Sequence, residues 1–182
     1  MPEGDLVIDV KQIEPGDRLT GLKLGAAEFA PLKIFLQRHA HTYEAQSLAR
    51  TYGAFNVETK KVVGYITLVC GEVVTDEGDD PLLAEPGLKY LYNHYPAIKI
   101  ARLAVDQRAA GMGLGKLLVN LALGRAKSII CPAVGCRFVM VDSKKGAVRF
   151  YEKCGFTLLD TPANLERDEP VMFVDLNKIP AA

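Results

Sequence analysis

The sequence has no excess of charge of either sign. Its 22 basic residues balance its 22 acidic residues over a length of 182, so no overall electrostatic field draws the chain to nucleic acid or to an anionic membrane. It lacks a run of about 18 uncharged apolar residues that could span a bilayer. The first residues, Met-Pro-Glu-Gly-Asp, also lack the basic start and apolar stretch of a secretory signal. These absences predict a soluble, cytoplasmic protein with no membrane partner.

Residues that commonly bind metals are scarce. The sequence has 4 cysteines and 3 histidines. Cys131 and Cys136 are the one close pair, and no second pair accompanies them at a spacing typical of zinc sites. Nothing in the sequence places a histidine beside a thiol, as a catalytic cysteine would require. We therefore predict reduced, mostly buried cysteines and no metal site.

The composition is that of a globular protein. Hydrophobic residues make up 49% of the chain and charged residues 24%, and the length suits one domain with a buried core. No internal repeat and no linker divides the sequence. We predict a single domain over residues 1–182.

Apolar periodicity and turn-forming residues divide the chain into strands and helices. Strands are predicted at 5–10, 51–57, 62–74, 98–105, 137–141, 156–159 and 170–176. Helices are predicted at 31–48, 113–128 and 144–153, and a short helical stretch at 88–93 inside an acidic loop of residues 75–97. The strand–helix–strand unit at 98–142 implies two parallel strands joined by a right-handed crossover.

Two of the predicted helices have an apolar face at helical spacing. On helix 31–48 this face comprises Leu32, Phe35, Leu36, His39, Ala40 and Tyr43, which predicts that the histidine belongs to the core. On helix 113–128 it comprises Leu114, Leu117, Leu118, Leu121 and Ala122. Asp142 or Ser143 is predicted to cap the helix that begins near residue 144.

A glycine-rich turn joins the strand at 98–105 to the helix at 113–128. Glycines at 111, 113 and 115 remove the Cβ atoms that would keep an anion away from the backbone. Consecutive N–H groups and the dipole of the following helix would attract a pyrophosphate. The turn is therefore a candidate phosphate site.

Three phosphate-binding motifs compete for this turn. A Walker A loop requires glycine and Ser or Thr at positions where the chain has Ala110 and Leu117. A dinucleotide-binding fingerprint requires a glycine where Lys116 stands, and it belongs near the start of its fold. The third pattern, Arg/Gln-x-x-Gly-x-Gly/Ala, is matched in full by Arg108-Ala-Ala-Gly111-Met-Gly113.

The third pattern is the acetyl-CoA loop of the GNAT N-acetyltransferases, which the chain resembles over most of its length. The hairpin at 62–68 also carries the resemblance, and so does Phe150-Tyr151-Glu152-Lys153-Cys154-Gly155-Phe156, which is similar to the family's FYEKxGF segment. The resemblance implies the α/β GNAT fold, in which a mixed central sheet of about six to seven strands has flanking helices and two splayed parallel strands that hold acetyl-CoA.

The resemblance also implies where acetyl-CoA binds. The backbone of Leu103 and Val105, with Ala104 between them, would pair with the pantetheine amides. The pyrophosphate would lie on the amides of the loop and the start of the helix, namely those of Ala109, Ala110, Gly111, Met112, Gly113, Leu114, Gly115 and Lys116. Arg108 would border this loop and could also contact phosphate.

Tyr151 matches the tyrosine that protonates the departing CoA thiolate in many family members. An unperturbed phenol has a pKa of about 10 and a thiol of about 8.5, so the phenol stays protonated and can donate to the sulfur. Packing is the alternative role. Lys144 stands where many members carry a cofactor-contacting Asn, and it either reaches a CoA phosphate or faces solvent. Glu28, Glu44, Glu72 and water stay open as the general base.

The chain is most similar to the GNAT toxins of bacterial toxin–antitoxin pairs. This similarity rests on Phe35-Leu36-Gln37-Arg38-His39-Ala40, Val63-Gly64-Tyr65, Tyr95-Pro96-Ala97 and Ala101-Arg102-Leu103-Ala104-Val105-Asp106. It implies charged tRNA as the acceptor and an antitoxin as a partner. Basic residues that could form a tRNA-binding patch are Lys33, Arg38, Arg50, Lys60, Lys61 and Lys89.

Several alternatives stay open. The acceptor could instead be a small amine such as a polyamine or antibiotic, or a protein N-terminus. The chain could also be a non-catalytic CoA-binding module, and it could form a homodimer. Arg102 either faces the site and binds an anion or forms a structural ion pair. Tyr90, Tyr92 and Tyr95 either line the acceptor pocket, stack on a base or pack over the sheet.

Overall fold

The computed structural model describes residues 6–77, 79, 81–83 and 85–180. In these ranges seven strands form one mixed sheet in the order β1-β2-β3-β4-β5-β7-β6. The strands are β1 (Ile8–Gln12), β2 (Arg50–Asn56), β3 (Val62–Val74), β4 (His94–Val105), β5 (Phe138–Asp142), β6 (Thr157–Leu158) and β7 (Val171–Asp175). The predicted α/β fold is confirmed. Asp5 of the first predicted strand, and Gly78 and Asp80 of the acidic loop, lie outside the described residues.

Helices lie between several of these strands. They are α1 (Ala30–Arg38), α2 (Ala40–Ala45), α3 (Leu114–Arg125), α4 (Cys131–Ala133), α5 (Val148–Lys153) and α6 (Pro162–Leu165). A π-helical segment, Ala126–Ile130, joins α3 to α4, and short 3-10 turns lie at Ala27–Phe29, Gln107–Ala109, Lys145–Ala147 and Leu176–Lys178. Within the described ranges, no helix is both long and apolar enough to cross a membrane.

The chain divides into two compact units, and the first comprises Met1–Val69 and Ile100–Ala122. In this unit β1 pairs antiparallel with β2, and β2 pairs antiparallel with β3. Its core is formed by fully buried side chains that include Leu22, Leu36 and Tyr65. These side chains come from the segment before α1, from α1 and from β3, so the core ties the helices to the sheet.

The second unit comprises Cys70–Lys99 and Leu123–Ala182. Here β4 runs parallel to β5, with the last pair between Lys99 and Met140, and β7 lies antiparallel between β5 and β6. The parallel pair confirms the predicted strand–helix–strand unit. Phe138 of β5 is 1% exposed and lies at the centre of this unit's core.

The hairpin of β2 and β3 follows its prediction closely. Its turn is stabilised by Asn56, whose Oδ1 accepts the backbone N–H of Thr59 at 2.7 Å. Lys60 has a φ of 55° in this turn, in the left-handed region that a short turn often requires. Polar residues between two apolar strands therefore predicted the hairpin correctly.

The predicted helix at 31–48 is interrupted at His39. This residue has φ −120° and ψ −27°, between the end of α1 and the start of α2. Its N–H still donates to the Phe35 carbonyl at 2.9 Å, so the chain turns without losing this bond. The break moves the residue off the apolar face, and its side chain is exposed. The prediction of a core histidine is wrong.

The buried face of α3 differs from its prediction, and the predicted Leu121 is only half-buried. Leu114, Leu118, Val119 and Ala122 are buried, whereas Leu117 is 49% exposed. Each residue advances about 100° around an α-helix, and the buried arc extends toward Val119. That direction turns Leu117 to solvent.

The predicted helical stretch at 88–93 is wrong. None of the described residues between 85 and 93 is helical, and β4 begins at His94 rather than at 98. Leu88, Leu91 and Tyr92 are all exposed. Since a short helix needs a buried face to be stable in water, exposed apolar residues could not hold one here.

The predicted caps of the helix near residue 144 are also wrong. The helical segment opens with a 3-10 turn whose N-cap is Lys144, and no side chain caps it. The Asp142 carboxylate pairs with Lys99 instead, and the Ser143 hydroxyl donates to the Lys144 carbonyl at 3.0 Å. Both side chains are taken by partners other than the helix amides.

Candidate functional site

A buried carboxylate follows the last residue of β4. The side chain of Asp106 is 1% exposed. Its carboxylate accepts the backbone N–H of Lys23 at 2.8 Å and that of Arg108 at 2.9 Å. The backbone N–H of Asp106 donates to the Val63 carbonyl at 2.8 Å. One acidic residue therefore fixes the end of β4 to β3 and to the segment that precedes α1.

Arg108 binds the same carboxylate with its side chain. Its Nε and Nη2 each donate to an oxygen of Asp106 at 2.7 Å, and Nη2 also lies 3.4 Å from the Gly21 carbonyl oxygen. The hydrogen bond from Arg108 lowers the pKa of Asp106 to about 2, and it outweighs the burial that acts in the opposite direction. Two of the three guanidinium nitrogens of Arg108 thus hold the loop in shape.

Several backbone N–H groups around the start of α3 have no acceptor among the described residues. They belong to Gly111, Gly113, Leu114, Gly115 and Lys116. The amides of Ala109, Ala110 and Met112 donate within the loop, at 2.9, 3.3 and 3.4 Å. Unpaired N–H groups at the N-terminus of a helix of 12 residues are suited to donate to an anion.

Two glycines give this loop its backbone conformation. Gly111 and Gly113 both have φ +79°, in the region that residues with a side chain rarely adopt. A Cβ atom at either position would meet nothing within 4 Å. Glycine is therefore required here by the backbone angle rather than by lack of space.

A third glycine lets α3 lie close to the sheet. A Cβ atom on Gly64 of β3 would stand 3.2 Å from both the Ala104 carbonyl oxygen and Leu114 Cδ2. Leu114 is the first residue of α3 and is buried. The position of the helix N-terminus thus depends on a residue without a side chain at 64.

The last part of β4 carries the predicted cofactor-binding strand residues. Parallel pairing with β5 ends at Lys99, so the strand continues from Ile100 to Val105 without a parallel partner among the described residues. Leu103 and Val105 are half-buried and Ala104 is buried. β4 is hydrogen-bonded to β3 on its other side, so only the backbone N–H and C=O groups that face away from β3 could pair with an extended ligand.

Tyr151 is a buried tyrosine of α5 in the second unit. It is 6% exposed, and its ring packs edge-on against those of Phe150 and Phe156, with centroids at 5.0 and 5.4 Å. Burial raises the pKa of its phenol well above the ordinary value. The hydroxyl donates to no described residue, and every fully buried side-chain oxygen of the described residues has a partner. The hydroxyl is therefore protonated and accessible to solvent.

A model of the acetyltransferase (GNAT) family matches residues 27–156, which include β4, the loop, α3 and α5. The chain belongs to the acetyltransferase (GNAT) family. The predicted family is therefore confirmed, and with it the prediction of an acetyltransferase enzyme.

One curated relative of this acetyltransferase is a glucosamine 6-phosphate N-acetyltransferase of Trypanosoma brucei brucei. It is 28% identical over 145 residues, which are 76% of this chain and 90% of the relative.

Similar solved structures include bacterial toxins. AtaT complexed with acetyl-methionyl-tRNAfMet has a TM-score of 0.76 and 24% identity, over 94% of this chain and 96% of that chain. AtaTR bound with AcCoA has a TM-score of 0.71 and 24% identity, over 93% and 94%. The KacTA–DNA complex has a TM-score of 0.66 and 20% identity, over 94% of each chain. These similarities show a shared fold.

The carboxylates predicted as general bases of this acetyltransferase differ in their surroundings. The Glu44 carboxylate accepts the backbone N–H of Thr51 at 2.9 Å and lies 3.5 Å from Arg50, so it has a structural role. Glu72 lies 3.1 Å from a ring nitrogen of His94 and is half-exposed. Glu28 is exposed on the 3-10 turn before α1. No geometry singles out one of the three.

Arg102 forms a contact that the sequence did not reveal. Its guanidinium carbon lies 3.7 Å from the centroid of the Phe35 ring, and no carboxylate of the described residues pairs with it. The predicted alternative of a structural ion pair is thereby excluded for this part of the chain. The signal was the aromatic on the apolar face of α1, but only the fold places that ring against β4.

The predicted tyrosines and basic residues occupy different environments. Tyr95 is buried and stacks on Tyr90 with centroids 5.0 Å apart, whereas Tyr90 and Tyr92 are exposed. Packing is therefore the role of Tyr95. The basic residues predicted as a patch are all exposed: Lys33, Arg38, Arg50, Lys60, Lys61 and Lys89.

Among the described residues, no disulfide joins the cysteines. Cys70 is exposed and Cys131, Cys136 and Cys154 are half-buried, so the prediction of mostly buried cysteines is wrong. Burial raises the pKa of the Cys136 thiol to about 11, with a contribution from Cys131. No group of three or more His, Cys, Asp or Glu side chains in the described ranges could hold a metal ion. Lys116 and Lys144 are exposed.

Proposed function

We propose that this chain is a cytoplasmic enzyme that transfers the acetyl group of acetyl-CoA to a primary amine. The observation that carries the proposal is the set of unpaired amides at the start of α3, at the residues that match the family's acetyl-CoA motif. A pyrophosphate offers the acceptor oxygens that these amides lack. The family match includes parts of both compact units, which supports one catalytic domain over residues 1–182.

Acetyl-CoA would bind along β4 and the loop. The pantetheine amides would pair with the backbone of Leu103 and Val105, beyond the end of the parallel pairing at Lys99. The pyrophosphate would accept from the amides of Gly111, Gly113, Leu114, Gly115 and Lys116. Arg108 would act mainly by holding Asp106 and thereby the loop, since two of its three guanidinium nitrogens are already engaged.

The reaction would be a direct transfer in a ternary complex. The amine nitrogen attacks the thioester carbonyl carbon, a C–N bond forms, the C–S bond breaks and its electron pair stays on sulfur. Tyr151 would donate its phenolic proton to that sulfur. Burial raises the pKa of Tyr151, which keeps the proton available across the physiological range. Water or a carboxylate would accept the proton that the amine loses.

We propose the α-amine of aminoacyl-tRNA as the acceptor, with glucosamine 6-phosphate as the second candidate. The first candidate is supported by the likeness to AtaT complexed with acetyl-methionyl-tRNAfMet. The second is supported by the 28% identity to a glucosamine 6-phosphate N-acetyltransferase. An antitoxin partner would accompany the first candidate, as it does for a mutant AtaT bound to the C-terminus of AtaR.

The experiment that tests the proposal is the release of CoA from acetyl-CoA in the presence of a panel of amines. The panel contains methionyl-tRNA, the same tRNA without its amino acid, glucosamine 6-phosphate, glucosamine and a polyamine. Release with methionyl-tRNA but not with the deacylated tRNA supports the first candidate. Release with glucosamine 6-phosphate alone supports the second. If acetyl-CoA binds but no amine causes release of CoA, the result would contradict the proposed enzymatic activity and favour a CoA-binding module.

A further inference from the structure

Arg102 is a half-buried cation without a counter-charge. Its side chain lies on β4 in the first unit, and its guanidinium stacks over the ring of Phe35 at 3.7 Å. It donates no hydrogen bond to a described residue. A guanidinium has five N–H donors and no acceptor, so its donors have no partner in the part of the chain that the structure describes.

Four other arginines of this chain lie beside carboxylates. Arg108 binds Asp106, Arg50 lies beside Glu44, Arg167 lies beside Asp142, and Arg137 binds Asp175 at 2.7 Å. Partly buried charges are normally paired because their desolvation is costly. Arg102 departs from this pattern, and the departure points to an anion supplied from outside the chain.

Phe35 holds the guanidinium in a fixed orientation. The Phe35 ring lies between Tyr43, edge-on at 5.3 Å, and Tyr65, stacked at 6.4 Å. The hydroxyl of Tyr65 donates to the Leu32 carbonyl at 2.7 Å. Since Arg102 lies over the ring and donates to no described residue, its N–H groups can form the two parallel bonds that a phosphate accepts.

Arg102 stands next to the strand residues proposed to bind pantetheine. It shares the strand face of the buried Ala104, whereas Leu103 and Val105 alternate to the other face. The N–H donors of Arg102 are thus available to a ligand, while the proposed cofactor contacts use the backbone of Leu103 and Val105. An anion on Arg102 would lie near the thioester end of the cofactor.

We propose that Arg102 binds a phosphate group of the amine acceptor and so selects phosphorylated amines. This inference rests on the proposed function, whose two candidate acceptors share this chemistry. The phosphate comes either from the 3′ end of aminoacyl-tRNA or from a sugar phosphate. Arg102 is a specificity-determining residue under this proposal, and Phe35 is the positioning residue that holds it.

Steady-state kinetics with matched acceptors distinguish the two sources. The pairs are glucosamine 6-phosphate with glucosamine, and methionyl-tRNA with methionyl-adenosine, which has the amine but no phosphate. For Arg102→Met we expect kcat/KM of the phosphorylated member of the active pair to fall about 10- to 100-fold, the loss typical of a charge-assisted bidentate contact. Arg102→Lys keeps the charge without the planar fork and should recover part of the loss.

In these variants, kcat/KM of the phosphate-free member and the KM of acetyl-CoA should change less than about twofold. Arg18→Met, at an exposed arginine between β1 and α1, is the matched control and should leave kcat/KM of both members unchanged. Equal losses for the two members of a pair, or no loss for either, would overturn the proposal. Thermal melting of each variant separates misfolding from a loss of recognition.

A second measurement does not depend on turnover. Phenylglyoxal modifies accessible arginines, and mass spectrometry reads the modified positions. With CoA present to fill the loop, inorganic phosphate should protect Arg102 and leave Arg18 reactive. Absence of protection by phosphate would overturn the proposal even in an active enzyme. Protection by CoA alone would also overturn it, because the cofactor would then be the partner. Protection in a protein that acetylates neither phosphorylated candidate would retain the inference and reject the proposed acceptors.

Discussion

At the scale of single residues, Asp106 holds the loop before α3 through its buried carboxylate. Asp106→Asn keeps the size of the side chain but removes the charge that faces Arg108 and the Lys23 amide. We expect the free energy of unfolding to fall by about 2–3 kcal/mol, as for the loss of buried hydrogen bonds to a charged group. Urea titration measures this change, and calorimetry should show weaker binding of acetyl-CoA.

The matched control for this variant is Asp9→Asn on β1, where the carboxylate is exposed. It removes the same charge and should change stability by less than about 0.5 kcal/mol. If both variants lose the same amount, the buried contacts of Asp106 have no special role.

Tyr151→Phe tests the proposed acid. Phenylalanine keeps the edge-on packing on Phe150 and Phe156. The free energy of unfolding should therefore change little, and the Kd of acetyl-CoA should stay within about twofold of the original. Turnover should fall on the order of 100-fold, because the departing thiolate loses its proton donor. The assay is CoA release at saturating acceptor, and Tyr92→Phe, an exposed tyrosine, is the control. Undiminished turnover would reject the role of Tyr151.

The sequence identified the residues of the loop but not the contacts that shape it. The motif from Arg108 to Gly113 predicted the phosphate site, because glycine spacing is a local property. The engagement of Arg108 with Asp106, and the stack of Arg102 on Phe35, depend on segments far apart in sequence. No spacing rule reveals such contacts, since they arise only when the sheet has assembled.

At the scale of elements, the two ends of α3 have glycines with opposite requirements. Gly113 precedes the helix with φ +79°, whereas Gly124 lies inside it at an ordinary angle with nothing within 4 Å of a Cβ. Gly113→Ala should lower stability by about 1 kcal/mol and weaken acetyl-CoA binding, because alanine resists the left-handed backbone. Gly124→Ala should raise stability by about 0.5–1 kcal/mol.

Thermal unfolding with and without acetyl-CoA measures both effects. A Gly113→Ala variant that is as stable and as responsive to the ligand as the original would show that the positive φ is not needed. A destabilised Gly124→Ala variant would mean that the helix is more crowded there than the structure indicates.

Elements with a buried face were predicted well, and those without one were not. The apolar runs of β2, β3 and β5 gave strands in the right places because their side chains are buried. Leu88 and Leu91 form part of an apolar pattern, but they are exposed and the segment is not helical. The break at His39 also escaped prediction, because periodicity continues across a residue that interrupts the helix without breaking its hydrogen bonds.

At the scale of the whole molecule, buried carboxylates should determine the response to acid. Arg108 lowers the pKa of Asp106 to about 2. Burial acts to raise the pKa of Asp175, but hydrogen bonds from Arg137 and from the Asn177 amide outweigh this effect and lower the pKa. A lowered pKa in the folded state gives stability that is present above about pH 4 and lost as the pH falls through the folded value.

We therefore expect a plateau of stability at neutral pH and a decline below about pH 4, with Asp106 contributing about 2 kcal/mol. Urea midpoints between neutral pH and about pH 2 measure this dependence. Asp106→Asn should show a shallower decline than the original chain. An equally steep decline in that variant would assign the acid response to other groups.

The bond between the Lys23 amide and the Asp106 carboxylate spans 83 residues, and this separation has a consequence for the order of folding. A contact between distant positions forms only after the intervening chain has been organised, because the entropy of closing so long a loop must first be offset. The strands and helices can appear before this bond, but the loop cannot take its final shape without it. A partly folded chain would therefore have little affinity for acetyl-CoA, and ligand binding would report the last stage of maturation rather than the first collapse.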